Sequence, residues 1–217
     1  MSAQNQATMY TRVVRLKGDP SKVNEAVQLW THEILPLLKK RPGFSGATLL
    51  GIRKTGDGLS VSYWESEAAM KQARAQVRPE ALKTLGKTGG SIVDDDECEI
   101  ALLERFKPPM AGVYARVTTV QGDPARVSEA ISNFKENIVP AIEKQSGVRT
   151  AYFFVNRQSG KIFAGSIWDT EHDLQASETS IGTLRTEAIK KFGGRDAKIE
   201  AFEVYFTEIL APVALVR

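Results

Sequence analysis

The sequence predicts an α+β fold in which one β-α-β-β-α-β unit of roughly 100 residues is written twice in tandem. Three observations carry this. Setting residue n against residue n+104 aligns the halves without a gap. Each half reads as strand, helix, hairpin, helix, strand. A proline-rich join, Phe-Lys-Pro-Pro-Met-Ala-Gly, separates them at 106–112. The single register brings Tyr10-Thr11-Arg12-Val13 onto Tyr114-Ala115-Arg116-Val117, Gly18-Asp19-Pro20 onto Gly122-Asp123-Pro124, Trp64 onto Trp168, and Gly89-Gly90 onto Gly193-Gly194. It gives about 24 identities over about 95 positions, where chance supplies roughly six. The units are expected at 9–106 and 113–210, with 107–112 as the linker.

The first strand is read as Met9–Lys17, rich in β-branched residues. Asp19-Pro20 supplies a helix N-cap followed by proline at the first helical position, where a missing N–H costs nothing. Helix one then runs to about Arg41, its apolar stripe Val23, Ala26/Val27, Trp30, Ile34 and Leu37/Leu38 repeated as Val127, Ala130/Ile131, Phe134, Ile138 and Ala141/Ile142. Pro36 and Pro140 fall inside this stripe, remove one ladder hydrogen bond each, and predict a kink at the same place in both copies.

A hairpin follows, Phe44–Arg53 and Leu59–Trp64 around a turn containing Gly56 and Gly58. Ser66 and Thr170 are the expected N-caps of the second helix, and the paired glycines suit its left-handed end. The last strands are placed at Glu97–Arg105 and Ala201–Ile209.

This element order is ferredoxin-like: a four-stranded antiparallel sheet with both helices on one face. The helix-free faces need cover. In a duplicated chain the sister sheet supplies it, so the units are expected to pack sheet to sheet as an intramolecular α+β barrel.

Composition excludes several classes. Apolar residues at 42% and charged residues at 25% are ordinary globular values. The formal charge of +3 is small and is not gathered into a basic stripe, which argues against nucleic-acid binding. No apolar run is long enough to span a bilayer. Met1–Thr8 lacks the apolar core of a signal peptide, so a cytoplasmic location is expected. Cys98 is the only cysteine and has no partner for an internal disulfide.

Two stretches, Arg41-Pro42-Gly43-Phe44-Ser45-Gly46 and Ser62-Tyr63-Trp64-Glu65-Ser66-Glu67-Ala68-Ala69-Met70, resemble the antibiotic-biosynthesis-monooxygenase family of the dimeric α+β barrel superfamily. The Trp-x-[ST]-Glu step recurs as Trp168-Asp169-Thr170-Glu171, whereas Pro-Gly-Phe becomes Ser146-Gly147-Val148. The family includes cofactor-independent oxygenases of aromatic substrates and haem-degrading oxygenases. Trp64 and Trp168 match the tryptophan it places beside its pocket, which implies a substrate-binding role. The haem-degrading branch carries an asparagine on the first strand and a histidine on the second helix. Here the first strands carry Arg12 and Arg116, the second helix of copy one has no histidine, and His172 lies too near the tryptophan. No cofactor is expected, and haem is disfavoured.

Each candidate residue has a plainer reading beside the functional one. Trp64 and Trp168 stack on an aromatic ligand, or seal a strand-to-helix corner. Arg12 and Arg116 hold an anion or a developing enolate, or pair across strands with Glu99 and Glu203. His32 is a general base by residue type, yet it points about 200° away from Trp30 around the helix, onto a solvated face; Glu136 occupies its place in copy two. His172 reads as a helix-start surface residue. Gly86-Lys87-Thr88 looks like a phosphate loop but closes a helix. Asp94-Asp95-Asp96-Glu97 is read as a solvated acidic turn and not a metal site. Cys98 has no histidine in sequence context to make it a nucleophile.

Two functions follow. One is a cofactor-independent monooxygenase acting on a small aromatic or quinol-type substrate. The alternative is a non-catalytic small-ligand-binding or assembly barrel, in which the apolar tail Ile209–Val216 supports a homo-oligomer. A cavity beside Trp64 or Trp168 favours the first, and a packed interior there favours the second.

Overall fold

The structure, a computed structural model, describes residues 9–210; the N-terminal stretch and most of the apolar tail lie outside the described residues. Eight antiparallel strands close into one barrel in the order β1-β3-β2-β8-β5-β7-β6-β4. The strands are β1 (Tyr10–Lys17), β2 (Phe44–Gly51), β3 (Gly58–Trp64), β4 (Ser91–Arg105), β5 (Tyr114–Gln121), β6 (Val148–Val155), β7 (Lys161–Trp168) and β8 (Arg195–Ile209).

The long strands β4 and β8 make the closure. Each pairs along its first part with the opening strand of its own unit and along its last part with the hairpin of the other unit, with a register shift just after the change of partner: β4 with β6, from Glu99↔Val155 to Arg105↔Thr150, and β8 with β2. The two helix-free faces become the barrel lining, and every strand has a neighbouring strand on both sides.

Side chains sort by strand parity. Val13, Leu59, Val61, Cys98, Val117, Phe154, Phe163 and Phe202 point into the barrel, while Trp30, Ile34, Leu49, Trp64 and Met70 form the helix–sheet core of the first unit. Phe134, Ile138, Phe153, Ile162, Trp168 and Ile181 do the same in the second.

The first helix of each unit is composite. In unit one a short 3₁₀ turn, Pro20–Lys22, leads into α1 (Val23–Leu29), a π turn over Trp30–Ile34, and α2 (Leu35–Lys39). Unit two repeats this as Pro124–Arg126, α4 (Val127–Asn133), Phe134–Ile138 and α5 (Val139–Glu143). Where a kink is expected, just before the prolines, each copy has a π turn. The Leu35 N–H bonds back to Trp30 O and the Val139 N–H to Phe134 O, and the next residue, Pro36 or Pro140, has no N–H to place.

The expected caps are present. Ser66 accepts from the Ala69 N–H and Thr170 from the Asp173 N–H. Gly43 and Gly147 sit at φ +76° and +74°, and their carbonyls accept the Glu65 and Asp169 N–H groups, tying the start of β2 and β6 to the end of β3 and β7. The second helices differ. In unit one α3 (Glu67–Lys87) is continuous, whereas unit two breaks into α6 (Glu171–Ala176) and α7 (Glu178–Lys191) at Ser177.

Two sequence expectations are corrected. Asp94–Glu97 is not a solvated turn but part of β4, held in the sheet because its carboxylates find cations: Asp95 meets Arg12, Arg74 and Arg78, and Asp96 meets Lys161. The strand pairs Arg12–Glu99 and Arg116–Glu203 are not formed. Arg12 stands opposite Glu97 and bonds Asp95, Glu99 is taken by Arg157, and Glu203 by Arg53.

Candidate functional site

Between sheet and helices, each unit holds a cleft, and the two clefts are built from equivalent positions. In unit one it lies among Arg12, Leu29, Trp30, Ser60, Ser62 and Ala81, with a volume of about 50 Å³. In unit two the same positions are Arg116, Asn133, Phe134, Ala164, Ser166 and Arg185, and the volume is about 90 Å³.

The first cleft is narrowed by Trp30, whose indole N–H donates to Ser60 Oγ at 3.0 Å and whose ring packs 5.5 Å from Phe206. Phe134 is smaller than Trp30, and Ala164 offers no hydroxyl. Phe134 instead packs edge-on against Phe153 at 5.2 Å, leaving room in front of it.

The charges differ more than the shapes. Arg12 is neutralised: Nε and Nη2 donate to the two oxygens of Asp95 at 2.7 and 2.8 Å, a bidentate pair 7% exposed on both sides. Burial pushes the Asp95 carboxyl up, but the Arg12 hydrogen bond and the charges of Arg12, Arg74 and Arg78 outweigh it, and the group ends below its ordinary value.

In unit two the residue at the position of Asp95 is Ile199 and that at the position of Glu97 is Ala201, so Arg116 has no strand carboxylate. Its Nη2 donates to Leu174 O at 2.8 Å and its Nη1 to Ser177 Oγ at 3.1 Å. Ser177, buried at the helix break, donates to the same carbonyl. The remaining charge is met from the helix side by Glu178, 2.6 Å from Arg116 Nη1 and shared with Arg185. Glu178 is 47% exposed, so its charge is largely screened by water. Burial and the neighbouring Arg185 pull the Arg116 guanidinium below its ordinary value against the opposite push of Glu178. Arg185 Nε is buried without a partner. Two guanidiniums, one half-screened carboxylate and apolar walls from Phe134, Ile138, Phe153, Ile162 and Ile181 make a cleft suited to a planar apolar molecule bearing a negative oxygen.

The residues singled out in the sequence fall as follows. Arg12 and Arg116 both face the clefts. Trp64 and Trp168, 1% and 0% exposed, stand behind the walls: each indole N–H donates to the serine two residues earlier, Ser62 Oγ at 2.9 Å and Ser166 Oγ at 2.8 Å, and those serines line the clefts. Trp64 also packs edge-on to Phe44 at 5.5 Å. His32 lies on the outer face of its π turn, exposed, with Nδ1 2.8 Å from Gln28 O. His172 is exposed at the start of α6.

These are the two histidines of the chain, and neither lines a cleft, so the residues present do not fit a haem held by a protein histidine. Among the described residues no group of histidine, cysteine or carboxylate side chains is arranged to hold a metal. Cys98 points into the barrel, where burial and Asp96 push its thiol up to about 12. Among the described residues no helix is long and apolar enough to cross a membrane.

Arg185, Glu178 and Asn133 were missed by sequence reasoning. The signal was available: within the internal repeat they stand where Ala81, Arg74 and Leu29 stand in unit one, three changes of polarity or charge facing one arginine.

Comparison with known proteins agrees with this architecture. A family model described as antibiotic biosynthesis monooxygenase matches residues 9–84. An uncharacterized protein of Mycobacterium tuberculosis is 24% identical over 204 residues, covering 94% of this chain and 91% of that protein. A second from the same species is 22% identical over 205 residues, covering 94% and 86%. Among solved structures, a candidate monooxygenase of Fusobacterium nucleatum superposes with TM-score 0.71 at 14% identity, covering 94% of this chain and 95% of that one. An anthrone oxidase-like protein superposes with TM-score 0.70 at 12% identity, covering 98% of both. At these identities the structures speak for the fold alone. The first unit thus matches the antibiotic biosynthesis monooxygenase model over residues 9–84, and the second unit repeats its element order, the two closing a single α+β barrel.

Proposed function

We propose that the second-unit cleft binds a small aromatic or quinol-type molecule and that the protein oxygenates it without a cofactor. The observation that carries this reading is the guanidinium pair Arg116 and Arg185 lining an apolar cleft with only the half-exposed Glu178 as counter-charge, where unit one has a buried bidentate Arg12–Asp95 pair and a tryptophan. A phenol or anthrone ionises to an oxyanion conjugated with a carbanion, and that anion reacts with dioxygen directly. Guanidiniums held beside the oxygen favour the ionised form before and during the reaction, with no reorganisation at the moment of charge development. For an anthrone the balance is one CH₂ oxidised to C=O by one O₂, with the second oxygen leaving as water. The proton lost on ionisation passes to solvent and one is taken back by the departing oxygen, so both CH₂ hydrogens end in the water. The apolar wall of Phe134 and Phe153 orients the ring.

A second reading, a binding barrel without catalysis, is favoured by two observations. The corners occupied by Trp64 and Trp168 are packed, and no histidine lines the cleft to act as a base. Tryptophan fluorescence titration with quinols, anthrones, flavin and haem, followed by oxygen consumption for each binder, separates the readings. Saturable quenching by a quinol or anthrone with oxygen uptake supports oxygenation. Binding without uptake leaves the binding barrel, and no binding by any aromatic anion removes both.

A further inference from the structure

The inside of the barrel is a compartment separate from both clefts, and its two ends are not alike. At one end inward-facing cations are matched by carboxylates: Arg15 Nη2 lies 2.8 Å from Glu200 Oε2, and Lys161 Nζ lies 2.7 Å from Asp96 Oδ2. The middle is apolar, with Val61, Val117, Phe154 and Phe163. At the other end the last residue of β4, Arg105, faces a cavity of about 50 Å³ bounded by Tyr63, Tyr152 and Phe154, with Pro109 and Met110 of the linker at its mouth.

Arg105 has no ion-pair partner among the described residues, and its Nη2 is buried without a hydrogen bond. The other arginine at this end, Arg149, is engaged by Asp169 and by Pro108 O at 2.6 Å. Burial pulls the Arg105 guanidinium below its ordinary value, and the guanidinium in turn favours the Tyr63 phenolate against that ring's own burial. The two groups therefore sense each other's charge. The Tyr63 hydroxyl is 3.3 Å from Thr48 Oγ1, which is 3.0 Å from Thr207 Oγ1, so a short hydroxyl chain runs beside the cation.

The site is single despite the internal repeat. Arg105, Arg149, Tyr63 and Tyr152 correspond to Ile209, Ser45, Ile167 and Thr48, so only one side of this end carries the charge and the phenols.

We propose that this end of the barrel binds a small apolar monocarboxylate, with its carboxylate on Arg105 and the Tyr63 hydroxyl and its hydrocarbon body toward Phe154 and Phe163. Arg105 is half-buried, with its Nη2 closed off from water and without a hydrogen bond, and a carboxylate that forms a charge-assisted pair with it satisfies that donor. The apolar interior beyond excludes a second charge on the ligand, and the small volume restricts the body to about the size of butyrate. Met110, 49% exposed at the mouth, can move aside for entry.

The test is calorimetric titration of the full chain with butyrate, with 1-butanol as the uncharged control. The expected result is saturable one-to-one binding of butyrate, roughly tenfold or more tighter than butanol. Arg105→Met is expected to weaken butyrate by a similar factor, and Met110→Trp, a change at the exposed mouth, is expected to block it. Arg116→Met, in the cleft outside the barrel, leaves butyrate binding unchanged. Absence of saturable binding overturns the proposal, as does butyrate binding that survives both Arg105→Met and Met110→Trp or that disappears in Arg116→Met. Should Arg105→Met not fold, the Met110→Trp result decides.

Discussion

In unit one, Arg12 is buried against a bidentate aspartate on the neighbouring strand, two further arginines lean on the same carboxylate, and a tryptophan narrows the cleft in front. In unit two the strand carboxylate has become Ile199, and an acidic residue stands instead on the helix, Glu178 at the place of Arg74, half in water. The helix has broken at Ser177 so that a freed carbonyl and a hydroxyl satisfy Arg116. The formal charges near each arginine are similar in sign. What changes is the dielectric in which the counter-charge sits: Asp95 is buried with Arg12, whereas Glu178 is half-exposed beside Arg116. One copy closes its strand arginine into a buried ion pair, and the other leaves its arginine beside a wider cleft.

Breaking the counter-ion in each unit gives the largest contrast. Asp95→Ala strands Arg12 inside the helix–sheet layer and is expected to lower stability by about 3–5 kcal/mol in urea unfolding. Glu178→Ala, at the exposed helix position, is expected to cost less than about 1 kcal/mol. Equal losses would remove the distinction between a structural and a free arginine.

Ligand binding sharpens the same comparison. Arg116→Met or Arg185→Met is expected to weaken an anthrone or quinol by roughly 10- to 100-fold, the worth of one charge-assisted hydrogen bond in a dry site. This is read by fluorescence titration with the melting temperature as a control for folding.

Acid titration gives a smaller effect of defined sign. Asp95 is held below its ordinary value of 3.8, so its contribution is fully present above that pH and is lost as the pH falls through the lower folded value. The stability gap between wild type and Asp95→Asn should therefore be constant from neutral pH down to about pH 5 and shrink below pH 4. Unit two, with Ile199 at that position, has no such term there. The smallest effect is at Cys98: with its thiol pushed up to about 12 inside the barrel, it should resist alkylation at pH 8 in the native protein and react on unfolding.

The fold was legible because its signals are local or repeated. Asp19-Pro20, Ser66, Thr170 and the 104-residue register each act within one element or between identical copies, and barrel closure follows from two helix-free faces in one chain. The acidic run of β4 was illegible because its partners are remote: Lys161 lies in the other unit, and Arg74 and Arg78 face it only once α3 has packed. The break at Ser177 was illegible because serine is common inside helices, and its function appears only when Arg116 is placed against it. Of the candidate cleft residues, Arg12 and Arg116 were visible as repeated strand arginines. Arg185 and Glu178 looked like ordinary surface substitutions until their common neighbour was known.

The most direct measurement transplants the first unit's plug into the second. The double variant Phe134→Trp with Ala164→Ser rebuilds the indole–serine pair that Trp30 and Ser60 make, at the equivalent positions. Fluorescence titration of this variant with the aromatic ligand should show binding abolished while the cooperative melt is retained. Unchanged affinity in the folded variant would contradict the assignment of the second-unit cleft as the binding site.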